Sequence, residues 1–163
     1  MTAENPDSKH SQFPPSVHAY CASSAVCLSF ATDRRSNPTV TVEFASASDS
    51  RKYDWANKVA FQLTRNELAE LTAYMFYPSS LSRWVHTSPA GVTKGFEVRL
   101  QSPVILFSIS SRARSVRTPV TPTDQYFFRN LLMSRLTRLQ PDLSPEIHLA
   151  SLKRLAANLS NHQ

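Results

Sequence analysis

The sequence predicts an α+β fold in which a strand-rich stretch closed by a helix occurs twice. Three observations carry this. Short runs of alternating apolar and polar residues recur along the chain, as over residues 39–44 and 58–63. A threonine followed three positions later by an acid stands at the exit of two strand runs, Thr64 with Glu67 and Thr121 with Asp124. Eleven prolines accompany only two glycines among 163 residues, which suits short, stiff connections better than a few long helices.

The elements follow in order. Residues 1–16 are polar and proline-punctuated and are expected to form a disordered tail. Residues 20–30 read as extended chain, with Val26, Leu28 and Phe30 on one face and Ala25, Cys27 and Ser29 on the other. Residues 33–38 read as a turn. Residues 39–44 place Val40, Val42 and Phe44 inward and Thr39, Thr41 and Glu43 outward. Residues 58–63 set Val59, Phe61 and Leu63 against Lys58, Ala60 and Gln62. Thr64 and Glu67 then form a capping box, Leu63 and Leu68 are placed to staple it, and Leu68, Leu71 and Met75 make a helical stripe ended by Pro78. In the second half, residues 83–86, 96–100, 104–110 and 113–118 read as strands. Thr121 caps a helix with Pro122 at its first position and Phe128, Leu131, Leu132 and Leu139 as its stripe. Residues 141–163 form a helical extension opened by Ser144 and Pro145, its stripe predicted as Leu149, Leu152, Ala156 and Leu159.

Several classes of function are excluded or unsupported. No apolar run approaches the ~18 residues of a membrane span, and two glycines are too few for a phosphate-cradling loop. No secretion or transit signal is seen, which points to the cytoplasm, or a nucleoid in a prokaryote. Cys21 and Cys27, if both lie in extended chain, are roughly 20 Å apart and cannot bridge. The five histidines show no metal spacing, and no nucleophile, carboxylate pair or cofactor motif emerges, so the chain reads as non-enzymatic, without metal or cofactor. Asp54 reads as a turn or cross-strand partner.

Charge points further. Lys plus Arg is 18 against 12 acids, net +6, and thirteen of the cations are arginine. From Arg112 onward eight bases face three acids, so most of the excess lies in the last third. Arginine forks match phosphates and stack on bases, though a solvated charged face has the same composition. Lys58 and Gln62 share one polar strand face, Arg99 and Gln101 another, and Arg112 and Arg114 project opposite Arg117. With Lys94, and with Tyr53 and Trp84 near strand ends beside cations, these side chains form the pattern of a single-strand platform. Phe61, Phe96 and Phe107 read as core. In an extended segment Tyr53 and Trp55 point to opposite sides, which gives Trp55 to the core and Tyr53 to the bases.

The stretch RKYDWANKVAFQLTRNELAEL resembles the signature of the Whirly proteins, in which Tyr-Asp-Trp leads into a basic residue, a V-F-x-L strand and a helix. TVTVEFASAS, SRWVHTSP, GFEVRLQSP, ILFSISSR and RSVRTPVTPTDQYFFRNLL follow the family's order, over roughly residues 18–140. The resemblance implies a duplicated β-β-β-β-α unit. Its two antiparallel four-stranded sheets lie roughly perpendicular with helices, here over residues 17–140 and followed by an extra C-terminal helix. It implies a homotetramer assembled through the helices. It also implies largely sequence-independent binding of single-stranded DNA in replication, recombination, repair or transfer. The fold is shared with positive cofactor four and guide-RNA-binding proteins, so RNA binding is an alternative, and a regulatory protein–protein module is another. The family's Lys-Gly-Lys-Ala-Ala-Leu strand motif aligns with residues 23–28, which lack both lysines. Affinity is therefore expected to draw on Arg34, Arg35, Arg51, Lys52 and Lys58.

Overall fold

The computed structural model describes residues 14–49 and 51–161. The first half holds β1 (Ser16–Tyr20), β2 (Ser24–Thr32), β3 (Pro38–Asp49), β4 (Lys52–Tyr53), a 3-10 turn at Trp55–Asn57, β5 (Val59–Gln62) and α1 (Arg65–Phe76). The second holds β6 (Leu81–Thr87), β7 (Thr93–Gln101), β8 (Val104–Ser111), β9 (Arg114–Val120) and α2 (Pro122–Leu139), followed by α3 (Pro145–Ser160). The fold is α+β with two antiparallel sheets. In the first sheet β1, β2 and β3 pair in order, and the far side of β3 is shared by β4 at its end and β5 at its middle. The second sheet is a plain meander from β6 to β9. Each half is thus a meander closed by a helix, and the first half splits its last strand in two.

Two sequence expectations about the first strands change. The tail expected over residues 1–16 lies outside the described residues as far as residue 13, and Ser16 already pairs with Ser29 in β1. The single strand expected over residues 20–30 is broken. The chain reverses between β1 and β2, where the Cys21 amide donates to Ser24 O at 2.9 Å and small side chains at Ala22 and Ser23 leave room for the bend. The extended-chain separation of the two cysteines therefore does not apply. Both are free thiols, Cys27 buried in β2 and Cys21 half-exposed at the bend.

Alternation is realised in the core. Val26, Leu28, Val40, Val42, Phe44 and Phe61 are buried from the first sheet, and Phe96, Val98, Ile105, Phe107 and Ile109 from the second. Phe96 is the meeting point, with ring centroids of Phe44, Phe61, Trp84 and Phe107 at 5.3–6.1 Å. Phe128 of α2 abuts Phe107 edge-on at 5.6 Å. Thr39, expected outward, is buried because its hydroxyl donates to Leu63 O.

The caps form as the sequence predicts. The Thr64 hydroxyl accepts from the Glu67 amide while Glu67 accepts from the Thr64 amide at 2.7 Å, a complete capping box. Thr121 and Ser144 cap α2 and α3, each with proline in the first turn. The last turn of α1 has no basic residue of its own. Arg129 of α2 fills that role, its Nε donating to Met75 O at 2.7 Å.

The stripe of α3 differs from the expected one. His148, Leu152 and Ala156 face inward, whereas Leu149 is exposed. Residues 149, 152, 156 and 159 satisfy helical spacing equally well, and the partner surface decides between the two. That surface is Ala73, Phe76 and Tyr77 of α1 with Leu136 of α2. Apolar residues of α1 outside its Leu68–Leu71–Met75 stripe, Ala73 and Phe76, are thus covered from within the chain.

Arg135 of α2 clasps the start of β3. Its Nε donates to Thr39 O at 2.9 Å, Nη2 donates to Ala31 O, and the guanidinium lies 4.5 Å over the Phe30 ring. Replacing it with methionine keeps much of the packing and strands these carbonyls. Arg135→Met should lower unfolding stability by ~2–4 kcal/mol in urea titrations. A loss under ~0.5 kcal/mol would show that water replaces the guanidinium.

Candidate nucleic-acid interface

Two polar surfaces result once the apolar residues turn inward. On the outer face of the first sheet, register places His18, Cys27, Glu43 and Ala60 in one row and Tyr20, Ala25 and Ala45 in the next. Ala25, Ala45 and Cys27 are buried although they point away from the core. Rings share this face. His18 stacks on Tyr20 at 5.7 Å and meets Trp55 edge-on at 5.7 Å, and Tyr20 lies 5.2 Å from Tyr53. Tyr20 is 54% exposed. Burial pushes the Cys27 thiol up to about 11, which makes it a small apolar residue rather than a nucleophile.

The expected alternation of Tyr53 and Trp55 fails at Asp54. Its carboxylate accepts from the amide and side chain of Asn57 and caps the 3-10 turn, as its reading as a turn residue requires. Trp55 is half-buried in that turn, and Tyr53, also half-buried, donates its hydroxyl to Cys21 O at 2.8 Å. Both rings belong to one cluster. His18 and Tyr20 were not among the sequence candidates. Their i, i+2 spacing was the available signal, hidden by the turn that follows them.

Beside this cluster an open cleft of about 590 Å3 separates β5 from the β6–β7 and β8–β9 turns. Lys58, Lys94, Arg112 and Arg114 line it with Val59 and Val92. Lys94 donates to Ala60 O at 3.0 Å, and Arg114 donates to Asn57 O and to Ser46 Oγ, so both also brace the cleft walls. Lys58 lies 2.7 Å from Glu43. Among the described residues nothing holds the Arg112 guanidinium. Arg51 and Arg112 occupy left-handed turn positions with φ of 64° and 55°. Glycine would adopt these at little cost, so a cation is carried at each hairpin tip against local preference.

The other candidates are dispersed. Arg51 lies in the turn between β3 and β4, and Lys52 opens β4 next to Tyr53. Arg34 and Arg35 sit in the turn before β3, so its 12 residues, roughly 35 Å at strand rise, separate them from Arg51. Gln62 is exposed and its side chain donates to Thr32 O. Arg99, 3.3 Å from Glu97, and Arg117 lie on the outer face of the second sheet. Trp84 does not reach the surface. It is 8% exposed, stacks on Phe96 and donates to Glu70 at 2.6 Å, because its register points it into the core. Among the described residues no cluster could hold a metal ion, and no helix is long and apolar enough to cross a membrane.

The family model described as Whirly transcription factor matches residues 28–120, more than half of the chain. The chain belongs to the Whirly family. No curated protein matches the sequence. Solved structures of Whirly proteins share the fold. WHY1 of Arabidopsis thaliana superposes with TM-score 0.63 at 17% identity over 79% of this chain and 92% of that one. WHY3 of the same plant gives 0.62 at 19% over 91% and 99%, and the plant transcriptional regulator PBF-2 gives 0.62 at 17% over 93% and 97%. In this Whirly chain β2 carries no lysine, and the cations of the cleft come from Lys58 just before β5, from β7 and from the β8–β9 hairpin.

His18 stays exposed on β1, but partial desolvation beside Tyr20 and Trp55 holds its imidazole below the ordinary value of 6.5, and Glu43 offsets this only in part. As pH falls through about 6.5 the unfolded chain takes up this proton before the folded one. Stability from this residue is therefore complete above that pH and declines as pH falls towards and through the lowered folded value. His18→Gln should lose less melting temperature than wild type between pH 7.5 and 5. An NMR titration placing His18 at or above 6.5 would show that the neighbouring rings desolvate it too little to matter.

Proposed function

We propose that this protein binds single-stranded nucleic acid, DNA in the first instance, largely without sequence preference and without catalysing a reaction. The observation that carries this is the convergence of Lys58, Lys94, Arg112 and Arg114 on one open cleft beside the Tyr20, Tyr53 and Trp55 rings. Cations set on rigid strands and tight turns hold phosphates, and rings at an exposed edge stack splayed bases of any sequence. Membership of a family described as a transcription factor, and likeness to a plant transcriptional regulator, support action on DNA. Replication, recombination, repair and transfer are the processes that expose single strands to such a binder. The protein also self-associates, as a homotetramer, in this reading. Support comes from apolar side chains left in water on the helices, Tyr126 at 60%, Phe127 at 52% and Ile147 at 50% exposure. A monomer mass in light scattering at micromolar concentration would remove that part.

Binding to single-stranded DNA, duplex DNA and RNA of one length, followed across a salt series, tests the reading. Single-stranded DNA should bind most tightly, with log affinity falling linearly in log salt. Preference for RNA would move the protein to the guide-RNA class, and salt-insensitive or absent binding would overturn the reading. Arg112→Gln should weaken single-strand binding and lower the salt slope by ~0.7 at unchanged melting temperature. Lys58→Ala should have a smaller effect, since Glu43 already shares its charge. Tyr20→Ala should cost ~1–3 kcal/mol of binding with little change in stability. Full affinity in Tyr20→Ala would mean the ring cluster is only a lid over Ala25 and Ala45.

A further inference from the structure

The outer face of the second sheet carries a groove of about 320 Å3 that neither the cleft nor the ring cluster includes. Register sets Arg83, Glu97, Ser108 and Arg117 in one row across β6 to β9. Arg99 stands on the same face. Gly95 also points outward, yet it is buried. Arg83 and Ser110 cover it. A Cβ on Gly95 would meet Arg83 Nη2 at 3.2 Å, Arg83 Nε at 3.5 Å and Ser110 Oγ at 2.9 Å. The guanidinium is thus laid down on the sheet over the one position without a side chain. Among the described residues no acid or carbonyl holds it. A long, flexible side chain with five unused donors is restrained by packing alone, which is the state of a cation prepared for an outside anion.

The groove also has a continuation. Ser115 and Arg117 line both it and a second groove, shared with Ser23, Ser24 and Ser46. Ser46 Oγ in turn accepts from Arg114, which lines the cationic cleft. The path is lined by serine hydroxyls and arginines, with Leu106 and Val116 between them and one carboxylate, Glu97, 3.3 Å from Arg99.

We infer that Arg83, positioned by Gly95 and joined by Arg117, is a second phosphodiester-binding station, on which a single strand leaving the Lys58–Arg112 cleft continues across the second sheet. This rests on the single-strand reading above and extends it to a surface with no ring. The ligand class is the phosphodiester backbone, since this face offers guanidinium and hydroxyl donors, its one carboxylate, Glu97, is paired with Arg99, and it has no ring for a base to stack on except the Arg83 plane itself.

The test compares Arg83→Gln with Arg154→Gln in the full chain. Arg154 is exposed on α3, so both variants lose one surface charge. Binding of an oligo-dT of ~16 nucleotides, within the usual range of site sizes, is measured by anisotropy across salt. Arg83→Gln should weaken binding about fivefold at low salt and reduce the log–log slope by ~0.7, whereas Arg154→Gln should leave the slope unchanged. Gly95→Ala should reproduce part of the loss, and adding it to Arg83→Gln should cost nothing more. Should Gly95→Ala fail to fold, the two arginine variants still decide. Equal slopes for Arg83→Gln and Arg154→Gln, with Arg112→Gln still impaired, would overturn the second station and leave the cleft standing. A wild-type protein that binds no single strand would overturn both.

Discussion

Burial of Phe96 is the constraint on which the rest of the arrangement depends. Its ring is fully enclosed where side chains of both sheets meet, Phe44 and Phe61 from one and Trp84 and Phe107 from the other. Each of these neighbours fixes an element. Phe61 holds β5 against the second sheet, and His86 stacks on the Phe61 ring at 4.0 Å. His86 Nε2 also lies 2.8 Å from Glu67, the carboxylate that closes the cap of α1. Trp84 reaches Glu70 on the same helix. Core, cap and strand edge are therefore one connected unit. Because strand side chains alternate, the inward choice of Phe96 and Trp84 dictates which residues face outward. Gly95 and Arg83 face outward for that reason alone, and a one-residue slip would expose the tryptophan and bury the guanidinium.

Arginine is divided between two kinds of work. Arg129 and Arg135 end on backbone carbonyls of α1 and of the β2–β3 hairpin, and Arg114 ends on the turn at Asn57. Five donors in a planar fork suit this, since each can satisfy a carbonyl that no strand or helix partner reaches. Arg83, Arg112 and Arg117 have no such duty among the described residues. The concentration of positive charge after Arg112 therefore overstates the interface, because part of it is spent inside the fold. The cleft instead draws Lys58 and Lys94 from the part of the chain that is nearly neutral.

Much of this architecture was legible in local sequence. Alternation located β3, β5 and the second meander, and three caps were placed on their residues by the offset between hydroxyl and acid or proline. What could not be read depended on partners distant in the chain. β1 was missed because its small and polar residues look like the tail before them until β2 folds back on them. The face of α3 was misassigned because two stripes fit helical spacing and only α1 distinguishes them. Trp84 looked exposed beside Arg83, since nothing local says that Phe96 and Glu70 will receive its ring and its N–H. Tyr53 and Trp55 were split by an alternation that the Asp54 turn abolishes.

The two outer faces are chemically unlike, and the difference follows from what each sheet has beneath its surface. On the first, the positions under the rings are Ala25, Cys27 and Ala45, small enough for aromatic planes to lie close to the backbone. On the second, the corresponding small residue is Gly95, and it receives a guanidinium instead of a ring. A flat group laid on a small residue is thus used twice, once with an apolar plane and once with a cationic one. The first plane suits bases and the second suits phosphates. The two faces adjoin at Ser46, Ser115 and Arg117, where the side chains are small hydroxyls and one guanidinium; on the proposed reading a flexible single strand passes from one plane to the other there more readily than a stiff duplex does.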